Sequence, residues 1–66
     1  MKYNYPEAIL KLRAKMNISQ EELGKLLNVS FSTVNRWENG HYEPTKIVKI
    51  KLKELFDEYG VVLEAK

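Results

Sequence analysis

Cysteine is absent from the chain, so neither a disulfide nor a thiolate-bound metal is available to hold it together. The single histidine, His41, cannot build a zinc site without carboxylate help. No apolar run approaches the ~20 residues of a membrane span, and no signal peptide is recognised ahead of the fold. A cytoplasmic protein with no membrane association, no metal and no cofactor is therefore expected. Repeats, linkers and low-complexity tracts are missing, as are a nucleophile elbow and a phosphate-binding loop, so an enzyme is not expected. Charge of one sign is scarce too. Eleven Lys and Arg against nine Asp and Glu leave a net +2, so attraction to a polyanion must come from how charge is distributed.

What remains is 66 residues of ordinary globular composition, 44% of them apolar. That length corresponds to one small domain over residues 1–66, burying only about 60% of its unfolded surface and therefore modestly stable. The most informative stretch runs from Ser19 to Gly40. Ser19 is a good helix cap, and Glu22 three residues on completes a capping box. Leu23, Leu26 and Leu27 recur at helical spacing. Asn28 tolerates the left-handed conformation a tight turn needs, and Val29 is apolar, as a residue tucked between two helices should be. Ser30 can cap a second helix with Val34 and Trp37 on its inner face, ended by Asn39-Gly40. Two short helices with so tight a turn are a helix-turn-helix, whose second helix can enter the major groove of DNA.

The flanks read as helices as well. After a short Met1–Tyr5 tail, helix 1 is predicted from about Pro6 to Met16, with Asn4 as its cap and Ile9, Leu12 and Met16 as its core positions. Helix 2 spans about Gln20 to Leu27 and helix 3 about Phe31 to Glu38. His41 to Pro44 form a loop, and Thr45 caps a long fourth helix reaching about Tyr59. Val48, Leu52, Leu55, Phe56 and Tyr59 make its apolar stripe, Gly60 ends it, and Val61-Val62-Leu63 in the 60–66 tail is too short to place. The fold class expected is all-α.

From Leu12 to Pro44 the chain resembles the Xre/Cro-type helix-turn-helix family, which includes phage repressors. Leu12-Arg13, Ile18-Ser19-Gln20, Glu22-Leu23, Val29-Ser30, Glu38-Asn39-Gly40 and Pro44 all fall in register without a gap. The resemblance implies a small four-helix, lambda repressor-like domain that binds double-stranded DNA and regulates transcription, repressor-like in character. It implies base or phosphate contacts at Ser30, Phe31, Ser32, Thr33, Asn35 and Arg36, and a backbone clamp at Gln20. Arg36 can fork onto guanine, Asn35 can pair with adenine, and Phe31 either meets a thymine methyl group or folds back as a cover. The resemblance also pairs Arg13 with Glu38 to lock the recognition helix in place. Trp37, large and apolar, is expected in the core. Lys46 and Lys49 either approach a further phosphate or form part of a solvated face.

Two departures from the family pattern stand out. Gly24 occupies a position that is usually alanine, where close packing needs a small residue. The fourth and fifth helices of the family are fused here into one, with Lys46 and Lys49 where aliphatics usually stand. A homodimer, at least on DNA, reading an inverted repeat is expected, although the fifth helix that often contributes to dimer contacts in the family is missing. The rival reading is an interaction or antitoxin-type module, or a DNA-binding domain cut from a larger protein. Ile47 and Ile50, outside the core stripe, with Leu10, Leu26 and the 61–63 tail, would supply its partner surface.

Overall fold

The computed structural model describes residues 3–65. Met1, Lys2 and Lys66, at the ends of the expected tails, lie outside them. Four helices follow one another: α1 (Tyr5–Met16), α2 (Gln20–Leu27), α3 (Phe31–Glu38) and α4 (Lys46–Tyr59). Among the described residues there is no strand, only an isolated antiparallel bridge between Tyr3 and Ala65. The all-α expectation holds.

Each helix starts on a side chain that accepts an orphan backbone N–H. Asn4 Oδ1 accepts from Glu7 at 3.3 Å, Ser19 Oγ from Glu22 at 3.1 Å, Ser30 Oγ from Thr33 at 3.2 Å and Thr45 Oγ1 from Val48 at 3.5 Å. The capping box is reciprocal, because the Ser19 N–H donates to Glu22 Oε1 at 2.9 Å. That backbone bond, with the bond to the Ser19 hydroxyl, holds the Glu22 carboxyl below its ordinary pKa.

Each helix also stops in the same way. Asn17, Asn28, Gly40 and Gly60 are the positive-φ positions among the described residues, and each stands just past a helix. The next residue then donates its N–H five residues back: Ile18 to Arg13, Val29 to Gly24, His41 to Arg36 and Val61 to Phe56, at 2.8–3.1 Å. This is the Schellman closure, in which an apolar residue after the left-handed one folds back onto the helix it ends. Ile18, Val29 and Val61 all do so, packing on or into the core.

That core comprises Tyr5, Ala8, Ile9 and Leu12 of α1, Leu23 and Leu27 of α2, Val34 and Trp37 of α3, Val48, Leu52 and Phe56 of α4, and Val61. Several expectations shift at its edge. Helix 1 begins at Tyr5, one residue early, and Tyr5 is buried rather than part of a tail. Met16, Val29, Leu55 and Tyr59 are half-buried, packed against the core from outside. The last segment has a place after all. Val61 is buried and Leu63 half-buried, and the Asn4 N–H donates to the Glu64 carbonyl at 2.8 Å.

Gly24 is explained by the turn. A Cβ there would lie 2.6 Å from the Val29 carbonyl oxygen and 3.3 Å from the Ser30 carbonyl carbon. What presses on α2 is the turn backbone, and the space is tighter than an alanine permits.

Candidate nucleic-acid interface

Helix α3 is two turns long and turns two faces in opposite directions. Val34 and Trp37, three residues apart, are buried and hold it to the core. Phe31, Ser32, Asn35 and Arg36 are exposed, and Thr33 is half-buried between the faces. Phe31, at the first position of the helix, is 58% exposed and does not fold back as a cover. At the same end three hydroxyls gather, with Ser30 Oγ 3.1 Å from Ser32 Oγ and 3.0 Å from Thr33 Oγ1. Hydroxyls both donate and accept, so such a cluster can turn donors toward an anion or a base edge. The exposed face thus carries an aromatic ring, hydroxyls, an amide and a guanidinium.

Behind this face lies a polar network that fixes where α3 sits. Arg13 of α1 grips the Glu38 carboxylate with both prongs, Nε donating to Oε2 at 2.6 Å and Nη2 to Oε1 at 2.9 Å. Its remaining nitrogen, Nη1, donates to the Ile18 carbonyl at 3.2 Å. The side chains are only 19% and 9% exposed. The hydrogen bond to Glu38, aided by its charge and opposed by burial, raises the pKa of the arginine above its ordinary value. One side chain therefore joins α1, the loop before α2 and the end of α3.

The network continues to the surface. Gln20 at the start of α2 donates from Nε2 to Glu38 Oε1 at 3.0 Å and to Asn35 Oδ1 at 3.2 Å. Sequence reasoning pairs Arg13 with Glu38 but misses this extension, since nothing local connects residue 20 with residues 35 and 38. Among the described residues no buried side-chain nitrogen or oxygen is left without a hydrogen-bond partner.

Other candidate positions lie elsewhere. Lys49 donates to Glu43 Oε1 at 3.3 Å and stands 5.1 Å from the centre of the Tyr5 ring. Lys46 and Lys49 line an open groove of about 790 Å³ with Tyr3, Ile50, Phe56 and Val62. The groove belongs to α4 and the chain ends, and α4 packs against α1. The suspected partner surface also divides. Ile50 and Val62 line the groove, whereas Leu10 stands beside Arg13 and Ile18 at another hollow; both sets, like Ile47 and Leu26, are exposed. Among the described residues no helix is long and apolar enough to cross a membrane, and no three His, Asp or Glu side chains gather to hold a metal ion.

The sequence model of one family, described as helix-turn-helix, matches residues 9–61, from the second turn of α1 to just past α4. No curated protein and no solved structure matches the chain. The matched span covers most of the sequence and contains the three helix N-caps after the first, the tight α2–α3 turn and the Arg13–Glu38 pair. The chain therefore belongs to the Xre/Cro-type helix-turn-helix family of DNA-binding transcription regulators.

Proposed function

We propose that this protein is a repressor-like regulator that reads the major groove with α3. The observation that carries this reading is the two-sidedness of α3: Val34 and Trp37 are buried while Phe31, Ser32, Asn35 and Arg36 stand exposed on a helix held in place by Arg13 and Glu38. In this arrangement Arg36 reads guanine, Phe31 meets a thymine methyl group, and Ser30, Ser32 and Thr33 supply short donors to bases or phosphate. Gln20 lies at a helix N-terminus, where backbone N–H groups and the helix dipole suit a phosphate. Lys46 and Lys49 add positive charge beyond the recognition helix and position the protein without selecting sequence.

The functional form is a symmetric homodimer. One helix of this length touches few base pairs, and two copies related by a two-fold axis place their recognition helices about 34 Å apart on half-sites roughly 10 base pairs apart. Exposed Ile47, Ile50 and Val62 support a protein-contacting surface on the α4 side.

Selection of bound fragments from a random DNA library, followed by mobility shifts across a salt series, tests the reading. An inverted repeat whose affinity falls steeply with salt is expected. Binding that ignores salt, or no enrichment of any sequence, refutes it and favours a protein-interaction module.

A further inference from the structure

We propose that the groove between α4 and the chain ends binds a medium-chain alkyl carboxylate, with its head at Lys46 and Lys49 and its chain running toward Phe56 and Val61. This ligand site stands apart from DNA recognition and does not depend on it.

Charge along α4 runs against the helix dipole. In α1 the first turn carries Glu7 and the last turn Arg13 and Lys15, and α2 likewise begins with Glu21 and Glu22 and ends with Lys25. Those signs suit a dipole whose N-terminal end is positive. Helix α4 has no acid in its first turn and no base in its last. Lys46 and Lys49 stand instead at the positive end, and Asp57 and Glu58 near the negative one. Such an order costs stability, and an anion held between Lys46 and Lys49 removes part of that cost. Lys46 has no ion-pair partner among the described residues. Lys49 has Glu43 at 3.3 Å, a surface pair of the kind that contributes little and yields to a competing carboxylate.

The groove beside these lysines holds about 790 Å³, within the range of sites for small organic molecules. Lys46, Lys49 and Lys53 line it and Asp57 is the one carboxylate that does, an excess of positive charge of three against one. Buried Tyr5, Phe56 and Val61 contribute its apolar floor, and exposed Ile50 and Val62 its apolar walls. From Lys46 to Phe56 the helix rises about 15 Å at ~1.5 Å per residue. Val61 prolongs the apolar end, its N–H donating to the Phe56 carbonyl at 2.8 Å. Ammonium groups thus gather at one end and hydrocarbon at the other. Asp57 is paired with Lys53 at 3.3 Å, so no free cation draws a carboxylate to the apolar end. A linear chain with one anionic end matches this gradient. A phosphate of DNA satisfies the lysines alone and leaves Ile50, Phe56 and Val61 uncovered. A neutral or cationic chain satisfies the walls alone.

Proton–nitrogen NMR of the full chain, titrated with sodium decanoate below its micellar concentration, tests the site. Saturable shifts are expected at Lys46, Lys49, Ile50 and residues 61–63, with the amides of α2 and α3 unmoved. Acetate has the head without the chain, and decyltrimethylammonium has the chain with the opposite charge; each should bind at least about tenfold more weakly. Lys46→Gln with Lys49→Gln should weaken decanoate about tenfold and leave decyltrimethylammonium no weaker. Ile50→Ser with Val62→Ser should weaken decanoate about tenfold as well. Both of those side chains are exposed, so the fold is expected to persist, and a thermal melt of the variant checks it. Equal affinity for acetate leaves only an anion contact and overturns the proposal. Equal affinity for decyltrimethylammonium marks unselective apolar binding and overturns it too. If the same residues shift when the protein alone is concentrated, its mass doubles and decanoate does not reverse the change, the groove belongs to a second copy and the proposal falls. It falls equally if a leucine–glutamate peptide saturates these residues where decanoate does not, since the occupant is then an acidic protein segment.

Discussion

Arg13→Ala is the sharpest perturbation this fold allows. It removes two charge-assisted bonds to Glu38, at 2.6 and 2.9 Å, and one to the Ile18 carbonyl at 3.2 Å. It leaves behind a carboxylate only 9% exposed. Stranding one member of a buried ion pair costs about 3–5 kcal/mol. Here Gln20 still donates to Glu38 Oε1, and water can enter where the partly exposed arginine was, which moves the cost to the lower end, about 3 kcal/mol. Domains of this size have about 3–10 kcal/mol in total, so the loss is a large share of it. It should lower the melting temperature by roughly 12–24 °C. Urea and thermal melts followed by far-ultraviolet circular dichroism measure it. Glu38→Ala should cost less, about 2 kcal/mol, because the guanidinium left behind is the more exposed partner. Replacing both residues by methionine should cost less than Arg13→Ala alone, since no charge is then stranded. A wild-type midpoint for Arg13→Ala, or strictly additive losses in the double variant, would show that the pair does not hold α3 in place.

Three further outcomes follow from the same structure. Gly24→Ala gains about 1 kcal/mol of helix propensity but drives a Cβ to 2.6 Å from the Val29 oxygen; the α2–α3 turn must open, and a net loss of about 1–2 kcal/mol in a urea melt is expected, a variant at least as stable as wild type refuting the close contact. Glu22 has its pKa lowered by Ser19, so the unfolded chain binds the proton more readily, and the stabilisation it provides is present above its ordinary value of 4.5 and fades as pH falls below it; urea midpoints of wild type and Glu22→Gln should converge on acidification, and parallel curves would refute the capping role. Arg36→Ala should cost about 1–3 kcal/mol per half-site and relax selection at one base position, and unchanged selection would remove Arg36 from the contact set.

Helix ends were legible because they are written in local chemistry. Ser19 with Glu22, Ser30 and Asn39-Gly40 lie within one turn of what they cap, and the boundaries of α2 and α3 follow from them. The same signal was present at Gly60-Val61, which repeats the pattern of Asn17-Ile18 and Asn28-Val29, and reading it there would have placed Val61 in the core. What no local pattern reveals is pairing across the fold. The return of the tail to Asn4 and the reach of Gln20 to Asn35 both join residues far apart in the chain. The exposed face of α3 could be drawn from Val34 and Trp37 alone, because a helix with two buried positions has little choice about the rest. Lys49 could not be assigned that way, since its partner Glu43 sits in a loop whose course depends on the whole fold.

The meeting of Tyr3 with Ala65, and of Asn4 with Glu64, has a topological consequence. A few added residues would span the gap and close the backbone into a ring. A ring has no first helix, and a new opening in the exposed stretch 41–43 would yield the order α4–α1–α2–α3. The α2–α3 unit would remain uninterrupted, and α4 would still reach α1, now as its neighbour in sequence. The packing that presents α3 thus does not require α1 to come first in the chain, only that α2 and α3 stay joined.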